Sequence, residues 1–219
     1  MAKKALIVWG GWDGHEPELV SARFDKILKE EGFKVDVSET LSSYDDPEKL
    51  KQYDLLVPVW TGGDLSGEQA VSVQQAIEEG TGMAGCHGGM CDSFRTNTEW
   101  QFLTGAQWVA HPGNDGTQYR VCMRPNTNHP IVEGIGDFDV VSEQYYILVD
   151  PCVNILATTR FPVAEGAYTA NGAFDMPVMF TKLWGKGKLF YSSLGHHDDV
   201  FNIPEAFTTM KRGLLWATR

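Results

Sequence analysis

Cysteine is scarce: the chain has four in 219 residues, at 86, 91, 122 and 152. None pairs as CxxC, and a chain of this length buries enough surface to fold without cross-links. A disulfide scaffold is excluded, and reduced thiols in a cytoplasmic protein are expected. Basic residues are also few, with Lys+Arg at 18 against Asp+Glu at 29 and a formal net charge of −11. Such a surface repels phosphate, so neither nucleic acid nor an anionic membrane is an expected partner. No apolar run approaches the roughly 20 residues that span a bilayer. The opening run, Ala5 to Trp9, is cut off by Gly10-Gly11. It is too short for a leader and reads as a first strand. Repeats, low-complexity tracts and long linkers are missing as well.

What is present is ordinary globular usage, 42% hydrophobic and 21% charged. One domain over residues 1–219 is the expectation. Strand and helix signals alternate in the first half. Lys4 to Trp9, Phe33 to Val37, Asp54 to Val59 and Met83 to Cys86 read as strands. Glu18 to Glu31 and Ser66 to Glu79 read as helices, each followed by a glycine at the C-cap. Strands separated by helices of this size imply right-handed crossovers and a mostly parallel sheet. The second half is richer in strands: Gln118 to Met123, Tyr145 to Val149, Asn154 to Thr159, Val178 to Leu183 and Lys188 to Ser193. Several of these are expected to be antiparallel or outside the main sheet. Pro204 to Thr218 reads as a closing helix with proline near its first position.

In an open parallel sheet, ligands collect beyond the carboxyl ends of the strands. The segments there are Gly14-His15-Glu16, Gly85-Cys86-His87-Gly88-Gly89 and Gly195-His196-His197-Asp198. Three dispersed histidines, His15, His87 and His196, are therefore expected around one cavity. His87 sits at the apex of a strand-to-helix turn flanked by small residues, the setting of a nucleophile elbow. On that turn a histidine can serve as general base, oxyanion donor or metal ligand. Cys86, one residue earlier, should point the other way, and Cys91, Cys122 and Cys152 read as buried structural thiols. Of the two adjacent imidazoles, His196 is expected to enter the site, with Asp198 orienting a ring or staying solvated. Glu16 either faces the pocket or serves the helix N-terminus. Glu143 and Tyr145, two residues apart, share a face and suit sugar hydroxyls. His111-Pro112 follows a short helix opened by Glu99 and Trp100, and His129 reads as structural. No HExxH or EF-hand loop is present, so a divalent metal such as zinc could be held only by scattered histidines.

Together these segments, with Glu99-Trp100, Gly105, His111-Pro112, residues 129–135, 143–145, 185–191 and 212–217, resemble the ThuA-like (trehalose utilisation) family. That family lies within the class I glutamine amidotransferase-like superfamily. The resemblance runs over nearly the whole chain and implies a flavodoxin-like α/β sandwich with extra strands in the second half. It also implies a role in disaccharide or keto-sugar metabolism, and His15, His87 and His196 as candidate metal ligands. Glutaminase chemistry is not implied, because His87 stands where that superfamily has its cysteine. Where relatives often show an Asp-Glu pair, this chain has Ser142-Glu143.

Three readings follow. The first is a carbohydrate-active enzyme, a hydrolase, lyase or isomerase. It would use His87, His196 and Glu143 for catalysis or metal binding, and His15, Glu16, Tyr145, Gly88, Gly89 and Asp198 for substrate. The second is a non-catalytic sugar-binding or regulatory module. The third is a thiol hydrolase using Cys86 or Cys91. The expected partner is a small-molecule carbohydrate, with a homo-oligomer left open.

Overall fold

A computed structural model describes residues 2–166 and 168–219. In chain order the elements are β1 (Lys4–Gly11), α1 (Pro17–Glu30), β2 (Lys34–Ser38), α2 (Pro47–Leu50), β3 (Leu55–Thr61), α3 (Gly67–Glu78), β4 (Gly82–Cys86), α4 (Gly88–Cys91), α5 (Thr98–Thr104), β5 (Ala106–Ala110), β6 (Thr117–Met123), β7 (Phe138–Ser142), β8 (Tyr146–Val149), β9 (Asn154–Phe161), β10 (Phe174–Trp184), β11 (Gly187–Ser192) and α6 (Pro204–Ala217). Nine strands form one sheet in the order β2-β1-β3-β4-β11-β10-β9-β6-β7, and β5 pairs with β8 in a second, small sheet. The first five strands of that order run parallel. From β11 onward each pairing is antiparallel. This is the flavodoxin-like α/β architecture with added strands.

The inner parallel strands β1, β3, β4 and β11 are covered on both faces, which explains their near-continuous apolar sequence, whereas edge strand β2 is largely exposed. Ala5 and Ile7 of β1 pack with Val20, Phe24 and Leu28 of α1 and with Met210 and Leu214 of α6. Leu6 and Val8 point the other way, toward Val73 and Ile77 of α3 and Trp100 of α5. The period-2 alternation of a strand thus feeds two cores, one on each side. Helix α3 starts where its sequence says it should. Ser66 accepts from Gln69 N, and the Gln69 side chain returns a bond from Ser66 N, a complete capping box. Helix α5 stops at Gly105, whose φ of +83° a side chain would resist.

Two strands went unread in the sequence. β7 exposes every second residue, and β5 is a five-residue segment in a two-stranded pair. Both are short, and neither carries a strong aliphatic run. Two cysteine expectations also need correcting. Cys86 and Cys91 are buried, but Cys122 is only half-buried and Cys152 is exposed. Cys152 lies in the turn between β8 and β9, with its amide donating to Asp150 Oδ1, so it is not part of either core.

Candidate functional site

Strand topology brings the three histidines together. His15 lies in the turn after β1, which is tied to the end of β3 by the Trp12 amide donating to Thr61 O at 3.1 Å. His87 is the residue between β4 and α4, at φ 47°, ψ −135°. That is a strained conformation for a residue with a side chain, costing of order 1–3 kcal/mol. Its amide donates to Ser192 O at 2.7 Å, which pins the apex to β11. His196 follows β11. The ring centroids stand 4.6 Å apart for His15–His87, 5.1 Å for His15–His196 and 5.3 Å for His87–His196.

The carboxylate they surround comes from the antiparallel half. Glu143 is the first residue past β7, and Tyr119 of β6 donates its hydroxyl to the Glu143 carbonyl at 3.0 Å. The neighbouring Gln144 is buried. It bonds Thr159 Oγ1, the Arg160 carbonyl and the Val163 amide, fixing the segment. Glu143 Oε2 lies 3.2 Å from His87 Nε2, 3.3 Å from His196 Nδ1 and 3.9 Å from His15 Nε2. Its other oxygen lies 3.4 Å from His111 Nδ1. His111 follows β5, and Tyr145 precedes β8. Because Ala110 pairs with Tyr146, the small sheet sets these two side chains beside each other and beside the cluster. Tyr145 stacks on His87 at 3.9 Å.

Proton placement at the rings follows from their outer bonds. His87 Nδ1 is 2.7 Å from Ser193 O. A carbonyl only accepts, so this nitrogen carries the hydrogen and the neutral ring turns a lone pair at Nε2 toward Glu143. His15 Nδ1 meets Thr61 Oγ1 at 2.8 Å, a hydroxyl that serves either tautomer, and its Nε2 faces the centre. Burial, then the neighbouring His87 and His196 rings, holds His15 down at about 2. Burial likewise lowers His87. Burial works against the Glu143 carboxylate, but the adjoining His196 and His87 rings outweigh it and keep the carboxyl below its ordinary range. A carboxylate and the His87 Nε2 lone pair can stand this close only with a proton or cation between them, and His196 Nδ1 beside them is buried without a hydrogen bond. The four donor atoms all lie within 4.8 Å of one another. Atoms on a tetrahedral zinc with bonds of about 2.0–2.1 Å stand roughly 3.4 Å apart, close to the separations measured from Glu143. The residues present therefore fit a divalent cation.

A cavity of about 460 Å³ opens above this cluster, lined among others by Trp12, His15, Asp92, Arg95, His111 and Tyr145. Arg95 is held by a two-pronged bond to Asp92 (2.6 and 2.9 Å), and its guanidinium lies 4.3 Å from the Trp108 ring centre. Burial raises the Asp92 carboxyl and pushes the Tyr145 hydroxyl well up, so Tyr145 is a donor.

Several sequence expectations change here. His87 and His196 are buried and form the floor beneath the cavity, whereas His15 lines it. Gly88 and Gly89 are packing residues: a Cβ on Gly88 would come within 2.5 Å of the His15 ring, and one on Gly89 within 2.9 Å of Val59 Cα. Asp198 does not orient an imidazole; its carboxylate is clamped by Arg23 at 2.5 Å on each oxygen. Glu16 accepts from the Asp198 amide at 2.9 Å and faces His197 at 3.5 Å, outside the cavity lining. His129 packs on Trp216. The thiol reading fails, since burial pushes Cys86 up to about 12 and raises Cys91 well above the ordinary thiol range. Nothing local in the sequence marks Asp92 or Arg95 as site residues, and His111 carries the family resemblance without a stated role there. His111 had a usable signal, a histidine directly after the alternating Ala106–Ala110.

The sequence model of the family described as ThuA, trehalose utilisation, matches residues 4–217. A putative ThuA-like protein from Bacteroides uniformis superposes with a TM-score of 0.77 at 19% identity, over 98% of this chain and 91% of that one. Another from Parabacteroides merdae gives 0.74 at 19% identity, over 99% and 90%. A cytoplasmic protein from Salmonella typhimurium gives 0.71 at 13% identity, over 99% and 100%. No curated protein matches the chain significantly. With the family pattern matched almost from end to end, on a shared fold, the chain belongs to the ThuA family.

Proposed function

We propose that this chain is a carbohydrate-active enzyme that acts on a keto-sugar or disaccharide, with one divalent cation held by His15, His87, His196 and Glu143. The observation that carries this reading is the centre itself: one buried carboxylate oxygen within 3.2–3.9 Å of three imidazole nitrogens, two of them on rings whose outer nitrogens are already bonded. Outer bonds of this kind set the tautomer and aim of metal-binding histidines. When bound, such a cation would supply polarisation of a sugar carbonyl or hydroxyl oxygen.

The remaining roles belong to the cavity wall. His111 is partly exposed, abuts Glu143 and lines the cavity, so it is the group placed to move a proton to or from the substrate. Tyr145 donates a hydrogen bond from a fixed position, stacked on His87. Arg95 and Asp92 grip hydroxyls, and Trp12, 56% exposed, offers an apolar face to a sugar ring. The volume falls within the range of small-ligand sites. Family membership supports the carbohydrate class. A cytoplasmic location is part of the proposal, in keeping with four free cysteines and the description of the Salmonella neighbour.

The test pairs elemental analysis of purified protein with product analysis over a panel of keto-sugars and disaccharides. One equivalent of cation in the wild type, its loss in His87→Gln, and turnover that drops in His111→Ala are expected. Metal-free protein that turns over substrate unchanged would refute the role of the centre. Saturable sugar binding with no product across the panel would favour the non-catalytic module instead.

A further inference from the structure

A second group of potential ligands lies against the first. Asp115, His196 and His197 offer donor atoms that all fall within 4.8 Å of one another. His197 Nε2 is 3.5 Å from Asp115 Oδ2, and His196 Nε2 is 3.9 Å from Asp115 Oδ1. The two rings are adjacent, with centroids 4.1 Å apart. On its other side His197 turns Nδ1 toward Glu16 Oε1 at 3.5 Å. Glu16 is itself held by the Asp198 amide, and Asp198 by Arg23. Each ring nitrogen of His197 thus faces a carboxylate oxygen at 3.5 Å, and Nδ1 is buried without a hydrogen bond, so the ring is free to turn a lone pair at Nε2 toward a cation beside Asp115. A cation at Nε2 would leave Glu16 behind the His197 ring, as the Ser193 carbonyl stands behind His87. It also gives Glu16, His197, Asp198 and Arg23 a common purpose that the cavity does not explain.

His196 is the element the two groups share. Its Nδ1 faces Glu143 of the inner centre, buried and without a hydrogen bond. Its Nε2 faces Asp115 of the outer group. We propose that Asp115, His196 and His197 form a second cation site, and that the His196 imidazole bridges it to the inner one. This rests on the inner site of the proposed function. A neutral imidazole has one lone pair, so binding a cation at each nitrogen requires the ring to give up its remaining N–H proton. One proton passes to solvent buffer as the second cation loads, with no oxidant or reductant involved. The donor set, two imidazoles and a carboxylate, suits zinc, cobalt(II) or copper(II) better than calcium or magnesium. Asp115 is exposed and partly solvent-facing, so the outer position is open to an exchangeable ligand, including a substrate oxygen.

The competing arrangement is a single inner cation with Asp115 accepting N–H bonds from both rings. Metal stoichiometry separates the two. Metal-free wild-type protein is loaded with zinc, free metal is removed, and bound zinc is counted. Asp115→Asn, His197→Gln and His87→Gln are treated alike, with far-UV circular dichroism as the check on folding. The expected result is two equivalents in the wild type and one in Asp115→Asn and in His197→Gln. Copper(II)-loaded wild type should show a spin-coupled resonance signal that Asp115→Asn lacks, replaced by that of an isolated ion. One equivalent in the wild type and in both outer variants, with an uncoupled copper signal throughout, overturns the second site and leaves the inner one standing. Stoichiometry that His87→Gln leaves unchanged, in protein that still folds, overturns the inner site instead.

Discussion

Along the four inner parallel strands β1, β3, β4 and β11, apolar residues alternate between two covered faces, and the histidines stand just past the strand ends. At the outer antiparallel pair, β6 and β7, every second residue of β7 is exposed and one face alone meets the core. Yet that second region supplies Glu143, and the small β5–β8 sheet supplies His111 and Tyr145. The parallel half is a rigid frame that presents imidazoles. The antiparallel half lays the carboxylate and the outer wall across them. The site exists only where the two regions meet, so a change in either should be felt at the centre, whereas changes in stability should depend on the region struck.

Core truncation should separate the regions most strongly. Phe190 of β11 is fully buried, and the backbone of Gly213 presses against its ring. Phe190→Ala should destabilise by about 3–5 kcal/mol in a denaturant titration. Phe138, on edge strand β7, should cost less when truncated, because the neighbouring surface can collapse into the space. Equal losses would mean the antiparallel edge is as tightly held as the frame.

Next in size are the ligands. His87→Gln from the parallel frame and Glu143→Gln from the antiparallel wall should each weaken cation binding by at least about 100-fold, the upper end of what outer-shell changes do at metal sites. Calorimetric titration with zinc measures this. A large loss from one residue with none from the other would break the picture of a shared centre.

The pH response sharpens it. His15 is held at about 2 against an ordinary 6.5, so between those values the unfolded chain binds a proton that the folded, cation-free protein does not. Stability therefore declines as pH falls below 6.5, by at most about 1.4 kcal/mol per pH unit for this group. Denaturant midpoints of metal-free protein at pH 8 and pH 5 should differ, and His15→Gln should reduce the difference. A pH slope that the substitution leaves unaltered would remove His15 from the account.

Two smaller effects complete the series. Ser66→Ala deletes the capping box of α3 in the parallel half and should cost about 1 kcal/mol in thermal unfolding. Arg120→Gln removes an exposed cross-strand pair with Asp139 in the antiparallel half, at 3.2 Å. Its melting temperature should match the wild type, as exposed pairs contribute little.

Much of the frame could be read in the order of residues. Ala5–Val8, Leu55–Val59 and the apolar stripes of α1 and α6 carry their periods openly, because buried parallel strands and amphipathic helices write a regular pattern. His15, His87 and His196 were visible for the same reason: each directly follows a legible strand. Glu143 and Tyr145 were noted as a pair, but nothing local says that Glu143 reaches the histidines. A site role for His111 and Arg95 was missed because β5 is short, and its partner β8 lies almost forty residues away.

Local order along the chain determined the family pattern, the alternation of strands with helices and the strained turn at His87, since these depend on neighbours in sequence. Tertiary structure alone decided that His87 and His196 lie beneath the cavity and that Gly88 and Gly89 serve packing. It also drew Glu16 and Asp198 toward His197 and Arg23. Those outcomes rest on contacts between residues about 30 to 180 positions apart, and a carboxylate meets its imidazoles only after the sheet has closed the distance between them.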